Sequence, residues 1–187
     1  MSNAFDTYFF RLINQTLSAE WLDVVMVRFS DKIFWTPLYA LCIYFMVKEF
    51  GKKAMLILLF LFVAVAASDR LTSGFMKPYF GRLRPCHELA LTPRIPEGVT
   101  CSDTGSMASS HAANHFAFAV FMVLLYGLKK RSNAIFWLSW ATVIAYSRVY
   151  NGVHYPTDVI VGAMVGALFG FLSFKWYNWS LSKLKWK

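Results

Sequence analysis

From residue 33 onward the chain alternates long apolar runs with short polar punctuation. The runs fall at about 33–47, 54–67, 111–128, 133–146 and 159–174. No period-two alternation of the kind that builds a membrane β-barrel competes with this pattern. Several runs are shorter than the roughly 20 residues that cross a bilayer as a helix, but each can lengthen through its flanks. The pattern therefore predicts five membrane helices with soft ends. Residues 5–30 differ: Phe5, Tyr8, Phe9 and Phe10 are mixed with Arg11, Glu20, Asp23 and Arg28. One or two amphipathic helices lying on the bilayer surface fit that mixture, and a tilted spanning helix is the alternative. The expected fold is all-α: an integral membrane helical bundle of five to six helices, forming one domain over 1–187. Within it, 1–32 is the amphipathic segment and 78–108 an extracytoplasmic loop.

Composition supports a membrane domain. Hydrophobic residues make up 57% and charged residues 16% of the 187, where a soluble domain carries about a quarter charged. The net charge of +9 raises nucleic acid as a partner. The basic residues, however, divide between loops at one end of the apolar runs and motif clusters at the other. Partners are therefore expected to be the lipid bilayer and an anionic lipid, with no nucleic acid.

Charge placement orients the bundle. Lys48, Lys52 and Lys53 lie between the first two runs, Lys129, Lys130 and Arg131 between the third and fourth, and Lys175, Lys183, Lys185 and Lys187 after the fifth. If every run spans, all three groups share one side, and their basic excess marks it as cytoplasmic. The opposite side receives 1–32, 78–108 and 147–158. Trp35, Tyr79, Trp176, Tyr177 and Trp179 read as interfacial anchors. Gly162, Gly166 and Gly170 give the last run a smooth stripe at four-residue spacing, suited to close helix packing. Cys42 lies within an apolar run and reads as packing. Cys86 and Cys101 flank one loop and could pair if it is extracytoplasmic. Such a bridge would stabilise by about 3 kcal/mol for a loop of about 15 residues; two free thiols are the alternative.

The candidate chemistry lies on that outer side, in three clusters. In the last, Ser147-Arg148 ends one run and His154-Tyr155-Pro156-Thr157-Asp158 opens the next. Pro156 suits a first helical position. His154 and Asp158, four apart, share a face on a helical turn. A carboxylate there would fix the imidazole tautomer and leave the other nitrogen free to attack. A helix-capping Asp beside an interfacial His is the plainer alternative. In the middle cluster, Ala108-Ser109-Ser110-His111, the serines suit an N-cap. Amides at such a terminus attract phosphate oxygens, with His111 placed as a proton donor. The alternative is an ordinary helix start. His111 and His115 also have the spacing of a metal pair, but the Glu that usually accompanies such a pair is missing, and no acidic cluster completes a shell.

The first cluster is Lys77 and Arg84-Pro85 with Gly81-Arg82 between. Seven apart, Lys77 and Arg84 would share a helical face, although Pro78 and Gly81 could bend the path. Arginine grips phosphate with two parallel hydrogen bonds and lysine adds a point charge. Headgroup-touching juxtamembrane cations are the alternative. Asp69 and Arg70 interrupt an apolar run and are expected to support the site or pair internally. His87, Glu88 and Arg94 read as solvated loop residues.

Taken together, Lys77 with Arg84-Pro85, then Ser109-Ser110-His111, then Ser147-Arg148 with Gly152, His154 and Asp158 resemble the three-part signature of the type 2 phosphatidic acid phosphatase (PAP2) superfamily. The middle part departs from Pro-Ser-Gly-His, with Ala108 in place of Pro and Ser110 in place of Gly. The resemblance implies a lipid phosphatase. His154 would form a phosphohistidine, Asp158 would orient it and His111 would protonate the leaving oxygen. Lys77, Arg84, Ser109, Ser110 and Arg148 would hold phosphate, with no metal and no other cofactor. It further implies a multi-pass protein of a bacterial inner membrane with its site facing the periplasm or exterior. Undecaprenyl pyrophosphate is the first substrate expectation; phosphatidylglycerol phosphate, phosphatidate and lipid A phosphates are the alternatives. Two readings of other classes remain: a non-catalytic protein that binds or translocates lipid phosphates, and a metal-dependent hydrolase using His111 and His115.

Overall fold

The structure, a computed structural model, describes residues 3–127 and 131–184. The basic residues Lys129, Lys130, Lys185 and Lys187 lie outside them. Helix α1 (Ala4–Arg11) starts where the Asn3 side chain accepts the Asp6 amide at 2.8 Å, an ordinary N-cap. It runs on through a π turn, Leu12–Thr16. Helix α2 (Glu20–Ser30) has Glu20 and Asp23 in its first turn and Arg28 in its last, matching the helix dipole. Phe5, Tyr8, Trp21 and Val24 are exposed on this pair. Its inward stripe is Asp6, Phe10 and Asn14, all buried and spaced by four.

Five further rods follow. They are α3 (Thr36–Phe50), α4 (Lys53–Asp69), α6 (Ser110–Leu125), α7 (Arg131–Tyr150) and α8 (Pro156–Leu184), with a short α5 (Lys77–Phe80) prolonging α4. Between α4 and α5 the rod continues through a π segment, Arg70–Met76. There the Thr72 hydroxyl donates back to the Ser68 carbonyl at 2.8 Å. Each predicted apolar run coincides with a helix over most of its described length, though α3 starts only at Thr36, α6 ends at Leu125, and the second run is extended well past 67 by this segment. Counting α4 to α5 as one rod gives seven helices among the described residues, more than the five to six expected; the pair α1 and α2 accounts for the excess. Residues 53–87 and helix α8 are long and apolar enough to cross a membrane by length and composition.

Helix α6 is central, packing on α4, α7 and most extensively on α8. The predicted glycine stripe explains the last contact. A Cβ at Gly162, Gly166 or Gly170 would lie 2.4, 2.0 or 2.5 Å from the carbonyl oxygens of Ser109, Ala113 and Ala117. Only glycine lets the two backbones meet that closely. At the other end, Phe50 and Tyr126 rings sit 5.9 Å apart. A core of Met46, Ile57, Phe121, Met122 and Ile144, with Trp137, Trp140 and Tyr177, fills the space between the rods.

Three local expectations change, and two open ones are resolved. Lys77 and Arg84 do not share a helical face: the helix stops at Phe80, Gly81 takes a left-handed conformation (φ 52°), and Arg84 is extended. Glu88 is not merely solvated, since it accepts the Tyr155 hydroxyl. Arg94 pairs with Asp23 through both guanidinium nitrogens, which holds that carboxyl below its usual range. Asp69 finds its partner in Asn114, whose amide donates at 3.0 Å. Cys86 and Cys101 form a disulfide, and Asn14 ties the same loop down by bonding the Arg94 backbone at 2.7 and 2.8 Å.

Gly166→Leu should destabilise the protein by at least about 1–3 kcal/mol, the usual range for overpacking. Leu168→Ala, on the exposed face of the same helix, should change little. Thermal unfolding in detergent separates the two.

Candidate active site

The chain reverses between α7 and α8 through Gly152, at φ 74°. A Cβ there would meet the Ile95 side chain at 2.6 Å and the Arg94 carbonyl at 3.0 Å, so only glycine fits. The amides of Val153 and His154 both donate to the Arg148 carbonyl at 3.2 Å. This fixes the imidazole of His154, which is only 2% exposed. Its Nε2 lies 3.3 Å from Arg84 Nη1 and its Nδ1 3.5 Å from Asp158 Oδ2. A guanidinium can only donate, so Nε2 is the acceptor and the ring proton belongs on Nδ1, facing the carboxylate. Burial pushes His154 down to about 4; Asp158 opposes that shift, and the charges of Arg84 and Arg148 add to it. That shift favours the neutral imidazole, with its Nε2 lone pair turned toward Arg84.

Asp158 has the geometry of both arrangements that the sequence left open. As the third helical residue of α8, its Oδ2 accepts the Tyr155 amide at 2.9 Å, as in a capping box. The same oxygen faces His154. Its Oδ1 accepts Arg82 Nη1 at 2.7 Å. Its backbone carbonyl accepts the Ser109 amide at 2.9 Å, joining the second and third clusters.

Arg84 is buried and held from three sides. Nε donates to the Thr104 carbonyl at 2.9 Å, Nη2 to the Thr104 hydroxyl at 3.2 Å and Nη1 to the Val153 carbonyl at 3.0 Å. Lys77 and Arg84 line a cavity of about 270 Å³ with Thr104 and Gly105. A Cβ at Gly105 would come 2.8 Å from the Lys77 carbonyl. Ser109 caps α6, its hydroxyl accepting the Ala112 amide at 3.5 Å. The Ser110 hydroxyl lies 2.6 Å from the Ser73 hydroxyl, and its amide stands at the helix start. His111 is half-buried on the first turn of α6, within electrostatic reach of His154, Arg148 and Lys77. Arg148 has a buried Nε without a hydrogen-bond partner among the described residues. It lines a second cavity, of about 680 Å³, together with Arg28, Glu20, Asp23, Asp31 and Glu97.

The structure thus brings together one neutral imidazole, its carboxylate, the start of α6 and the cationic side chains. The metal-pair alternative loses its second member: His115 has Nδ1 at 2.7 Å from the His111 carbonyl and Nε2 at 3.2 Å from the Tyr39 hydroxyl. Three contributors went unread in the sequence. Thr104 holds Arg84. Arg82, noted only as a spacer, bridges Asp158 and Asp6, whose Oδ2 it reaches at 2.6 Å. Asp6 itself is fully buried. The available signal was its place on one stripe with Phe10 and Asn14, where a solvated acid would have stood on the other face.

Comparison with known proteins identifies the family. A lipid A 4'-phosphatase of Bacteroides thetaiotaomicron is 34% identical over 171 residues, covering 89% of this chain and 74% of that one. An undecaprenyl-diphosphatase of Sulfolobus acidocaldarius is 28% identical over 171 residues, covering 90% and 77%. Among solved structures, that of Aquifex aeolicus LpxE superposes with a TM-score of 0.69 at 28% identity, over 93% of this chain and 97% of that one. The PAP2 superfamily profile matches residues 54–182, and with the helical bundle and the relatives it establishes that this chain belongs to the PAP2 superfamily and is a membrane lipid phosphatase.

Proposed function

We propose that the protein removes a phosphate monoester from a phosphorylated-sugar lipid of the lipid A class, in place of the undecaprenyl pyrophosphate expected first. The similarity to a lipid A 4'-phosphatase over nearly the whole chain carries this reading. The cavity beside Arg148 supports it. Its size suits a small ligand group, and its carboxylates, from Glu20, Asp23, Asp31 and Glu97, outnumber its guanidinium groups. A second phosphoryl group placed there would meet like charge. Sugar hydroxyl and amide donors would find acceptors.

In the proposed reaction, the lipid phosphate draws Arg84 off His154 and is held by Lys77, Arg84, Arg148 and the amides of Ser109 and Ser110. His154 Nε2 attacks phosphorus while the bond to the lipid oxygen breaks, and that oxygen takes a proton from His111. Water then attacks the phosphohistidine, giving a proton to His111 as the P–N bond breaks. Inorganic phosphate leaves and the imidazole is restored. Asp158 holds Nδ1–H throughout and offsets the charge that builds on the ring. Fixed cations and helix-start amides stabilise the transferring group. The site is assigned to the outer face of a bacterial inner membrane. Lys48, Lys52, Lys53, Arg131, Lys175 and Lys183 lie toward the opposite end of the helices, and the disulfide of the site loop suits an oxidising compartment.

Three measurements test this reading. Phosphate release in detergent with chelator present should favour lipid A phosphate over undecaprenyl pyrophosphate by about tenfold or more in kcat/KM, a difference of about 1.4 kcal/mol. A preference for pyrophosphate sinks the substrate assignment. His154→Gln should abolish turnover, and the His154 ring should titrate near pH 4 in histidine NMR spectra, remaining neutral above that. A titration near the ordinary imidazole value would contradict the buried, cation-facing geometry. His111→Ala should lose about 10²–10⁴-fold on lipid substrate and much less on an aryl phosphate, whose leaving oxygen needs no proton; equal losses would remove the acid role.

A further inference from the structure

We propose that Asp6 of α1, acting through Arg82, is a positioning pair for the His154–Asp158 couple: it locks the Asp158 carboxylate in the plane that faces the imidazole and preserves its negative charge. The inference rests on the reading of His154 as nucleophile.

The contacts form one connected chain. Arg82 Nη1 donates to Asp158 Oδ1 at 2.7 Å and to the Thr157 hydroxyl at 2.8 Å, while Nη2 donates to Asp6 Oδ2 at 2.6 Å. Asp6 also accepts the Thr157 amide on Oδ1 at 2.9 Å and the Thr157 hydroxyl on Oδ2 at 2.6 Å. The guanidinium carbon of Arg82 sits 4.0 Å over the Tyr155 ring, which keeps its plane from rotating. Asp6 and Asp158 are both fully buried, and the Arg82 side chain is 13% exposed.

Charge makes Asp6 necessary. Asp158 exists to favour positive charge on His154, yet an arginine pressed on its other oxygen offsets that effect. Asp6 neutralises the arginine, so the three groups present one net negative charge to the ring. Geometry makes Arg82 necessary. With Oδ2 fixed by the Tyr155 amide, the fork on Oδ1 is the second point that stops the carboxylate turning away. A lysine would supply the charge without the fork. This gives the N-terminal helix a part in the reaction although it contributes nothing that touches phosphate. The other groups whose charge His154 feels are Arg84 from the loop, Arg148 from α7 and His111 from α6.

The test measures kcat, the NMR titration of His154 and the unfolding temperature of purified full-length protein, with lipid A phosphate as substrate. Asp6→Asn should lower kcat about tenfold, the lower end of what loss of an outer partner costs at metal-bound imidazoles, and move the His154 titration downward, because a negative charge is lost. Arg82→Gln should also lower kcat but move the titration upward. Arg82→Lys should restore the titration without restoring kcat. Asp6→Asn added to Arg82→Gln should cost no further rate, as two members of one chain require. If the Asp6→Asn protein does not fold, the three Arg82 measurements decide alone. Unchanged kcat and titration in Asp6→Asn and Arg82→Gln, beside an inactive His154→Gln, overturn the proposal and spare the nucleophile. Full rescue of kcat by Arg82→Lys also overturns it, leaving only a charge effect. An active His154→Gln overturns the mechanism on which both rest.

Discussion

The approach of α8 to α6 is the constraint on which the rest of this molecule depends. Three glycines remove every side chain that would hold the two backbones apart. Without a hydrophobic driving force between helices in lipid, such packing supplies much of the association. The contact has a second effect at its outer end. It places the Ser109 amide on the Asp158 carbonyl, so the helix that starts the proposed phosphate cradle and the helix that carries Asp158 are held in one register. The remaining elements pack around this pair.

Electrostatics imposes the next requirement. Lys77, Arg84 and Arg148 carry like charges at one end of the bundle, and their repulsion must be offset before any ligand arrives. Around Arg84 the protein answers with neutral oxygen acceptors. Arg84 is satisfied by the Thr104 and Val153 carbonyls. Asp158 and Asp6 stand one layer behind His154, where both carboxylates oppose Arg82. A preorganised cluster of this kind needs little rearrangement as charge shifts in a transition state.

Much of this arrangement was legible in the sequence because its determinants are local. His154 and Asp158 meet because they bracket a helix start, and Pro156 announces that start. The glycine stripe follows from one helical period. The basic loops and the motif clusters separate because antiparallel helices alternate ends. What could not be read joins distant segments. Arg82 and Asp6 are 76 residues apart, and Asp6 and Thr157 are 151 apart; no periodicity reports such pairings. Lys77 and Arg84 were misjudged for a different reason: a left-handed Gly81 turns the chain, and a seven-residue spacing says nothing once the helix has ended. Glu88 and Arg94 looked solvated because loop composition does not reveal that Tyr155 and Asp23 lie beneath them.

The Arg84–His154 contact has a consequence for idle protein. On the proposed mechanism the reactive lone pair faces a guanidinium rather than open water, and the ring is almost wholly covered. Uncharged electrophiles wandering through the interface offer arginine only neutral acceptors, no better than the Thr104 and Val153 carbonyls it already holds. An anionic headgroup offers a charged one, which is stronger. Screening by charge therefore comes before any bond is made, and the catalyst stays dormant among the far more numerous neutral esters and amides around it.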